Sequence, residues 1–246
     1  MASASLSDEI PVVTRRVFLA DLGRSAVAFA VLGVACSSTN PTTTATASAA
    51  DGPVWKRVNL GSVSAYVVAR AGEAAVIDTG FAGSAAEIEA AISGLGLGWN
   101  DVGHVVLTHS HPDHVGSIGE VLELAADAGA YIGAGDLDAV TAPRPLTAVG
   151  DGDKVMSLEV IETPGHTPGH IALLEPDLAL LIAGDALTGA DGGVIGPNSR
   201  FTADMATAAG SIAKLSALPF EIVVFGHGEP VEGDAAAQVA ALVATE

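Results

Sequence analysis

From residue 54 onward, short runs of aliphatic and β-branched residues alternate with longer alanine-rich segments. The short runs end at Gly, Pro, Asn or Asp, a pattern typical of strands, whereas the longer segments have the spacing of helices. Strands are predicted at 54–60, 63–69, 74–78, 104–108, 130–133, 158–162, 171–174, 178–183 and 221–225, and helices at 84–94, 117–128, 203–217 and 234–244. The alternation predicts an α/β domain that begins near Val54.

Two of the predicted helices begin with capping residues. Ser84 followed by Glu87 has the pattern of a capping box, and Thr202 followed by Asp204 precedes the third helix in a similar way. Most of the polar turns follow a predicted strand directly. Because loops at one edge of a sheet converge, their side chains are expected to share a site.

The N-terminal residues have the pattern of an export signal. TRRVFL at 14–19 is followed by an uncharged apolar run at 26–35, which is too short to cross a bilayer as a helix. LGVAC at 32–36 resembles a bacterial lipobox, which predicts lipidation of Cys36. We therefore predict a twin-arginine-type signal peptide at 1–35, a flexible Ser/Thr-rich linker at 36–53 and a folded domain at 54–246. An ordinary N-terminal helix with a buried cysteine is the alternative.

The charge and cysteine content of the chain limit the classes of molecule that the domain can bind. The chain has 10 Lys and Arg against 29 Asp and Glu, a net charge of -19 that disfavours nucleic acid and anionic lipid. Contact with a membrane is expected only through the N-terminal lipid. The predicted location is the outer face of the cytoplasmic membrane, and the periplasm or the extracellular space are the alternatives. The single cysteine excludes an intramolecular disulfide and a cysteine-based metal site.

A cluster of histidines and aspartates predicts a metal site. THSHPDHVG at 108–116 follows an apolar strand, and side chains at i and i+2 of an extended segment share a face, so His109 and His111 can bind one ion. Asp113 and His114 open the next helix and can face a second ion. His166, Asp185 and His227 each follow another strand-like run. This nitrogen and oxygen set suits zinc, with iron or manganese as alternatives.

These motifs, together with DTG at 78–80 and TPGHTPGH at 163–170, resemble those of the metallo-β-lactamase superfamily, in the branch typified by glyoxalase II, over nearly all of residues 58–230. The resemblance implies a four-layer αββα sandwich. It also implies one ion held by His109, His111 and His166, a second held by Asp113, His114 and His227, and Asp185 bridging both. Asp78 would support the metal loop rather than bind metal.

The predicted reaction is hydrolysis of a small-molecule thioester, lactone, ester or amide by a hydroxide that bridges two zinc ions. Asp113 would orient the hydroxide or relay a proton to the leaving group. Arg200 is the basic residue that could hold a substrate carboxylate; a plain surface arginine is the alternative. His170 is either an orienting partner of a ligand or a turn-stabilising residue, and His104 is expected to pack in a partly buried position.

Two other functions compete with hydrolysis. An iron-dependent oxygenase of the persulfide dioxygenase type would use an overlapping ligand set. A metal-binding lipoprotein without catalysis is the second, although it would more often contain a flexible His-rich tract. Loops around 133–150 and 187–202 are expected to select the substrate.

Overall fold

A computed structural model describes residues 52–244. The predicted signal peptide at 1–35, Cys36 and most of the predicted linker at 36–53 lie outside the described residues. Within residues 52–244, no helix is long and apolar enough to span a bilayer.

The first half of the domain forms one six-stranded sheet whose strands follow each other in chain order. Its strands are β1 (Val54–Asn59), β2 (Ser64–Arg70), β3 (Glu73–Ile77), β4 (Val102–Leu107), β5 (Gly129–Gly133) and β6 (Thr147–Val149). β1 to β3 are antiparallel, and β3 to β6 are parallel. The helices of this half are α1 (Ala85–Ser93), α2 (Pro112–Val115) and α3 (Ile118–Leu124).

The second half forms another six-stranded sheet, in which β13 lies between β14 and β10, and β9, β8 and β7 follow in turn. Its elements are β7 (Lys154–Val155), β8 (Leu158–Glu162), β9 (Ile171–Glu175), β10 (Leu180–Ile182), the separate hairpin of β11 (Thr188–Ala190) and β12 (Gly193–Ile195), α4 (Met205–Leu215), β13 (Ile222–Val224), β14 (Val231–Glu232) and α5 (Ala235–Val243).

Three apolar clusters separate four layers. Residues of both sheets, such as Ile77 and Leu173, form the central cluster. Ile88 of α1 and Val121 of α3 pack with the outer face of the first sheet, and Leu215 of α4 packs in the cluster of the second. A strand that is buried on both faces is apolar at every position, which explains why several strand segments are continuously apolar instead of alternating between apolar and polar residues. The predicted αββα sandwich is confirmed.

Several local predictions need correction. The capping box at Ser84 is wrong: Ser84 precedes α1, but its φ of -84° and ψ of 4° depart from the extended conformation of a capping residue, and its side chain makes no capping hydrogen bond. The helix predicted at 117–128 ends at Leu124, where the Arg144 side chain donates to the carbonyls of Leu122, Ala125, Ala126 and Ala128. Asp204 does cap α4, accepting from Thr207 N at 3.0 Å.

Candidate metal centre

All seven predicted ligands meet at one edge of the two sheets. His109, His111, Asp113 and His114 follow β4 of the first sheet, and α2 begins within this segment. The other three lie in loops that follow β8, β10 and β13 of the second sheet, and they are His166, Asp185 and His227. Strand ends of two packed sheets therefore place side chains that are more than a hundred positions apart around one point.

The first ligand group consists of His109, His111, His166 and Asp185. One donor atom from each lies within 4.8 Å of the others. His166 Nε2 is 2.9 Å from His111 Nδ1 and 3.3 Å from Asp185 Oδ2. His109 and His166 are buried, and His111 is half-buried.

The second ligand group consists of Asp113, His114 and His227, with donor atoms again within 4.8 Å. His227 Nε2 is 3.4 Å from Asp113 Oδ2 and 3.3 Å from Asp185 Oδ2. His114 Nε2 is 3.5 Å from Asp185 Oδ1. The Asp185 carboxylate thus contacts both groups, which is the geometry of a bridging ligand.

The donor atoms fit a pair of divalent cations. His109 Nε2, His114 Nε2 and Asp185 Oδ1 are buried and have no hydrogen-bond partner within the described residues. Buried polar atoms in native proteins nearly always have a hydrogen-bond partner. Three buried donor atoms without a partner at one point therefore indicate that a cation binds there. Two donors of one tetrahedral zinc ion, each about 2.0–2.1 Å from the metal, lie roughly 3.4 Å apart, close to the separations seen around Asp185.

The outward nitrogen of four of these rings has a partner that fixes the ring orientation. The pairs are His109 Nδ1 with Thr108 Oγ1 at 3.1 Å, His114 Nδ1 with Asp78 Oδ2 at 2.8 Å, His166 Nδ1 with Thr202 Oγ1 at 3.2 Å and His227 Nδ1 with the Ser62 carbonyl at 2.5 Å. In each ring, Nε2 is therefore the atom that faces the centre. Such partners hold the tautomer and the angle that coordination needs.

Asp78 is one of these partners and lies behind the ligands. It has a φ of 58°, an uncommon left-handed conformation that aspartate tolerates. Its carboxylate accepts from Thr108 N at 2.7 Å and Thr108 Oγ1 at 2.8 Å, in addition to its contact with His114. Asp78 therefore ties the end of β3 to the loop that follows β4.

Asp136 is a positioning residue that the sequence analysis missed. Its buried carboxylate accepts from Ser110 N at 2.8 Å, from Thr167 Oγ1 at 2.7 Å and from Gly169 N at 2.7 Å. It thereby joins the segment of His109 and His111 to the turn of His166. A signal was present: Asp136 ends AGD after a strand, as Asp185 does.

The remaining histidines and Arg200 occupy different places. His170 Nε2 accepts from Asp185 N at 2.9 Å and its Nδ1 is 2.7 Å from Thr163 Oγ1, so it stabilises the turn that positions the bridging carboxylate. His104 lies away from the centre, 3.3 Å from Glu73 and against Tyr131. The Arg200 guanidinium lies 5.5 Å from the centroid of the Phe201 ring.

Glycine permits the close approach of the second sheet at Gly226. A Cβ atom there would collide with Asp185 Oδ1 and with the His114 ring. The backbone of the β13 loop can therefore pass directly against the ligands only because this residue has no side chain.

Burial controls the protonation of His109, His166 and His170. Burial lowers the pKa of His109 well below 6.5, and the neighbouring histidines lower it further. Burial also lowers the pKa of His166 to about 4, although Asp185 opposes the shift, and that of His170 to about 3. His109 and His166 are therefore neutral near pH 7, the form that binds metal.

Carboxylates control the protonation of the second group. Hydrogen bonds to Asp113 and Asp185 raise the pKa of His227 to about 10. Burial lowers the pKa of His114, but the nearby Asp78 and Asp185 outweigh it and the net shift is upward. The hydrogen bond with His227 lowers the pKa of Asp113, and for Asp185 the contacts with His227, His114 and His166 outweigh burial and lower the pKa to about 2.

A cleft of about 420 Å³ opens above the second group, and its lining includes His111, Asp113, Asp185 and His227. The loop at 187–202 contributes Thr188, Asn198 and Phe201 to its walls. The loop at 133–150, also expected to select the substrate, instead lines a separate open groove between Leu137 and Leu146.

Comparison with known proteins agrees with this architecture. The family model of the metallo-beta-lactamase superfamily matches residues 58–227. The probable metallo-hydrolase YflN of Bacillus subtilis is 33% identical over 173 residues, covering 52% of this chain and 65% of the relative. A hydroxyacylglutathione hydrolase of Fuscovulum blasticum is 33% identical over 170 residues, covering 68% and 61%.

The chain thus spans less than two thirds of the length of either curated relative. Among solved structures, a metallo-beta-lactamase family protein from Thermus thermophilus superposes with a TM-score of 0.62 at 24% identity, over 79% of each chain. The fold, the family match and the cluster of histidines and aspartates lead to the same assignment: this chain belongs to the metallo-beta-lactamase superfamily.

Proposed function

We propose that the protein is a hydrolase that binds two divalent cations, most suitably zinc, and cleaves a thioester, lactone, ester or amide bond of a small molecule. The observation that carries this proposal is the position of Asp185. Its carboxylate lies between two ligand groups, and three buried donor atoms at this point have no hydrogen-bond partner among residues 52–244. The hydrolase names of the two curated relatives support the same reaction class.

When bound, two divalent cations lower the pKa of a coordinated water toward neutrality and polarise a substrate carbonyl. The chain supplies the geometry around that chemistry. His109, His111 and His166 would hold one cation on one side of Asp185, and Asp113, His114 and His227 would hold the other. Thr108, Asp136 and Thr202 keep these rings in place, so that little reorganisation is needed during the reaction.

Asp113 has a second role in this proposal. Its carboxylate lines the cleft, and its lowered pKa keeps it ionised near neutral pH. The attacking water forms a bond from its oxygen to the carbonyl carbon, and the bond to the leaving sulfur, oxygen or nitrogen breaks. Asp113 accepts the proton of the water and transfers it to the leaving atom.

The test is a panel of thioesters, lactones, esters and β-lactams assayed with protein of measured metal content. Protein that contains two zinc ions per chain should hydrolyse at least one class of substrate on the panel. Removal of metal with a chelator should abolish turnover, and zinc should restore it. Protein that retains a single iron, consumes oxygen and hydrolyses nothing on the panel would contradict the proposal and favour the oxygenase; metal binding without any turnover would favour the non-catalytic lipoprotein.

We also propose that the protein is exported and tethered through a lipid on Cys36. The arginine pair, the apolar run and LGVAC at 32–36 support this proposal. In a bacterial host, the wild type should fractionate with membranes and Cys36→Ser should move to the soluble exported fraction. Identical fractionation of the two proteins would contradict the tether but leave the hydrolase proposal intact.

A further inference from the structure

Two aromatic side chains line the cleft above the metal centre. They are Phe81 and Phe201, which share its walls with Pro112 and the polar Thr188 and Asn198. Phe81 is 44% exposed and Phe201 is 57% exposed. A cleft of about 420 Å³ is within the ordinary range of small-molecule sites, roughly 300–1,000 Å³.

The exposure of these rings is selective. Four phenylalanines lie between residues 52 and 244. Phe220 and Phe225 are buried in the core of the second half, whereas Phe81 and Phe201 are exposed and both line the cleft. Exposed apolar surface gathered at one concave place indicates a binding site rather than incidental surface.

Each ring is held on a loop that is hydrogen-bonded to a ligand segment. The Phe81 carbonyl accepts from Ser117 Oγ, and the adjacent Gly80 carbonyl accepts from Gly116 N at 2.8 Å, which ties Phe81 to the segment of Asp113 and His114. Phe201 N donates to the Asn198 carbonyl at 3.0 Å.

On the Phe201 side, the neighbouring Thr202 contacts His166 Nδ1, and Ala203 N donates to the His166 carbonyl at 3.1 Å. Both rings therefore have positions that are defined relative to the metal ligands. Side chains placed in this way can orient a bound molecule over the reacting centre.

The walls of the cleft beyond the proposed metal ligands have no side chain that would hold an anionic group. These walls consist of Phe81, Pro112, Thr188, Asn198 and Phe201, and no lysine or arginine is among the lining residues in the described part of the chain. Arg57 is not in the cleft lining; it pairs with Glu229 and donates to the Gly228 carbonyl. Arg200 lies over the Phe201 ring rather than in the cleft lining.

We propose that Phe81 and Phe201 form the specificity subsite of the enzyme and that its substrates are uncharged esters, lactones or thioesters with an apolar chain. This inference rests on the proposed hydrolase function. The rings bury the chain while the scissile carbonyl lies against the metal centre. Arg200 supports the Phe201 ring that it lies over and does not bind a substrate carboxylate.

Chain-length dependence of hydrolysis tests the subsite. The zinc-loaded full chain is assayed with 4-nitrophenyl esters from acetate to octanoate, and with thioacetates of alkyl thiols of increasing length. In one of the two series, kcat/KM should rise up to about fourfold per methylene until the chain reaches the rim. If the protein hydrolyses these substrates but kcat/KM does not change with chain length in either series, the proposal is overturned.

A matched pair of substrates tests the charge preference. 4-Nitrophenyl hexanoate and mono-4-nitrophenyl adipate differ only in a terminal methyl or carboxylate. The hexanoate should be preferred by at least about tenfold, because the terminal carboxylate of the adipate would be desolvated against the phenylalanine rings without a lysine or arginine partner. Equal or better hydrolysis of the adipate ester would contradict the proposal.

Alanine variants show which side chains cause the dependence of kcat/KM on chain length. Phe81→Ala and Phe201→Ala should each flatten the chain-length dependence, lowering kcat/KM for the preferred long-chain substrate about tenfold while changing the acetyl substrate by no more than about twofold. Leu124→Ala is the control, since Leu124 is similarly exposed, at 43%, but lies on α3 outside the cleft lining. A uniform loss across all chain lengths would show a structural role and overturn the assignment.

A binding measurement separates this inference from the proposed function. The neutral dye N-phenyl-1-naphthylamine is titrated into the metal-free full chain, and 2-octanone and 2-butanone are compared as competitors. Displacement by 2-octanone should be at least about tenfold stronger, and Phe201→Ala should weaken dye binding relative to Leu124→Ala. The dye titration decides whether the apolar subsite exists even if no substrate on the panel is hydrolysed. Equal dye binding by Phe201→Ala and Leu124→Ala would overturn the subsite.

Discussion

The two ligand groups around Asp185 are built differently. In the first, the side chains of His109 and His166 are 0% and 1% exposed, and the partners of their outward nitrogens are the hydroxyls of Thr108 and Thr202. In the second, the side chains of Asp113 and His227 are 28% and 34% exposed. There the ring of His114 is held by a carboxylate, Asp78.

We expect two cations bound at these two groups to differ in affinity and in exchange. In the first group, burial has already deprotonated His109 and His166, so a cation that binds to these two rings displaces no proton from them. The second group is more open, and its imidazoles are paired with carboxylates that favour protonation. We therefore expect the first cation to bind more tightly and the second to exchange more readily.

The largest effect is expected from Asp185→Asn, because this carboxylate serves both groups. The amide keeps the size of the side chain but removes the negative charge between the two cations. We expect kcat/KM to fall by at least about 10³-fold and the zinc content to fall below two per chain. Metal analysis and turnover are measured on the same sample, and a normal zinc content with normal activity would remove Asp185 from its bridging role.

Asp78→Asn tests the support of the second group, because Asp78 contacts His114 directly and reaches His109 of the first group only through Thr108. Asparagine tolerates the positive φ at this position and keeps an acceptor for Thr108 N, so the fold should be retained. Affinity for the second zinc ion should fall about 10–100-fold, with little change at the first. Zinc competition with a chromogenic chelator measures both steps; an equal loss at both sites would show that the two groups are not independently supported.

Asp136→Asn is the reciprocal test, because Asp136 joins the loops of His109, His111 and His166. Here affinity for the first zinc ion should fall, again by about 10–100-fold. Asp138→Asn is the control, since Asp138 lies on the same turn but, within residues 52–244, no side-chain hydrogen bond joins it to these loops. Wild-type affinity in the Asp136 variant would show that its three hydrogen bonds do not position the ligands.

The smallest predicted effect is a pH dependence that differs between the two cations. Without a cation, His227 holds a proton near neutral pH because its pKa is raised to about 10. Binding the second cation must release that proton, so affinity should rise with pH, by up to about tenfold per unit between about pH 6 and 8.

His109 and His166 are already deprotonated in this range and add no such dependence at the first cation. Calorimetric zinc titrations at several pH values measure both steps. His104→Gln, away from the centre, should leave the profiles unchanged. A second-cation affinity that is flat or falls with rising pH would contradict the assigned protonation of His227.

The ligands were predictable from the sequence because they lie in short motifs at the ends of apolar strands. Asp136 was missed because one acidic residue in a loop has no spacing to distinguish it, although its AGD repeats that of Asp185. The short strands β6, β7 and β14 were also missed. They are two or three residues long, and pairing with a neighbour rather than a local pattern defines them.

Contacts between the two halves were the least predictable. Arg57 and Glu229 form an ion pair across 172 positions, and Tyr66 donates to the Phe225 carbonyl across 159. Phe81 and Phe201 lie in different loops, and only the meeting of the two sheets brings both to one cleft. Such juxtapositions follow from the tertiary fold and have no local signature.

We propose that two cations lie on either side of Asp185. Anomalous X-ray scattering at the zinc edge from crystals of the zinc-loaded protein would locate them. Two peaks should appear next to Asp185, one among His109, His111 and His166 and the other among Asp113, His114 and His227. A single peak, or zinc bound elsewhere on the chain, would contradict the proposal.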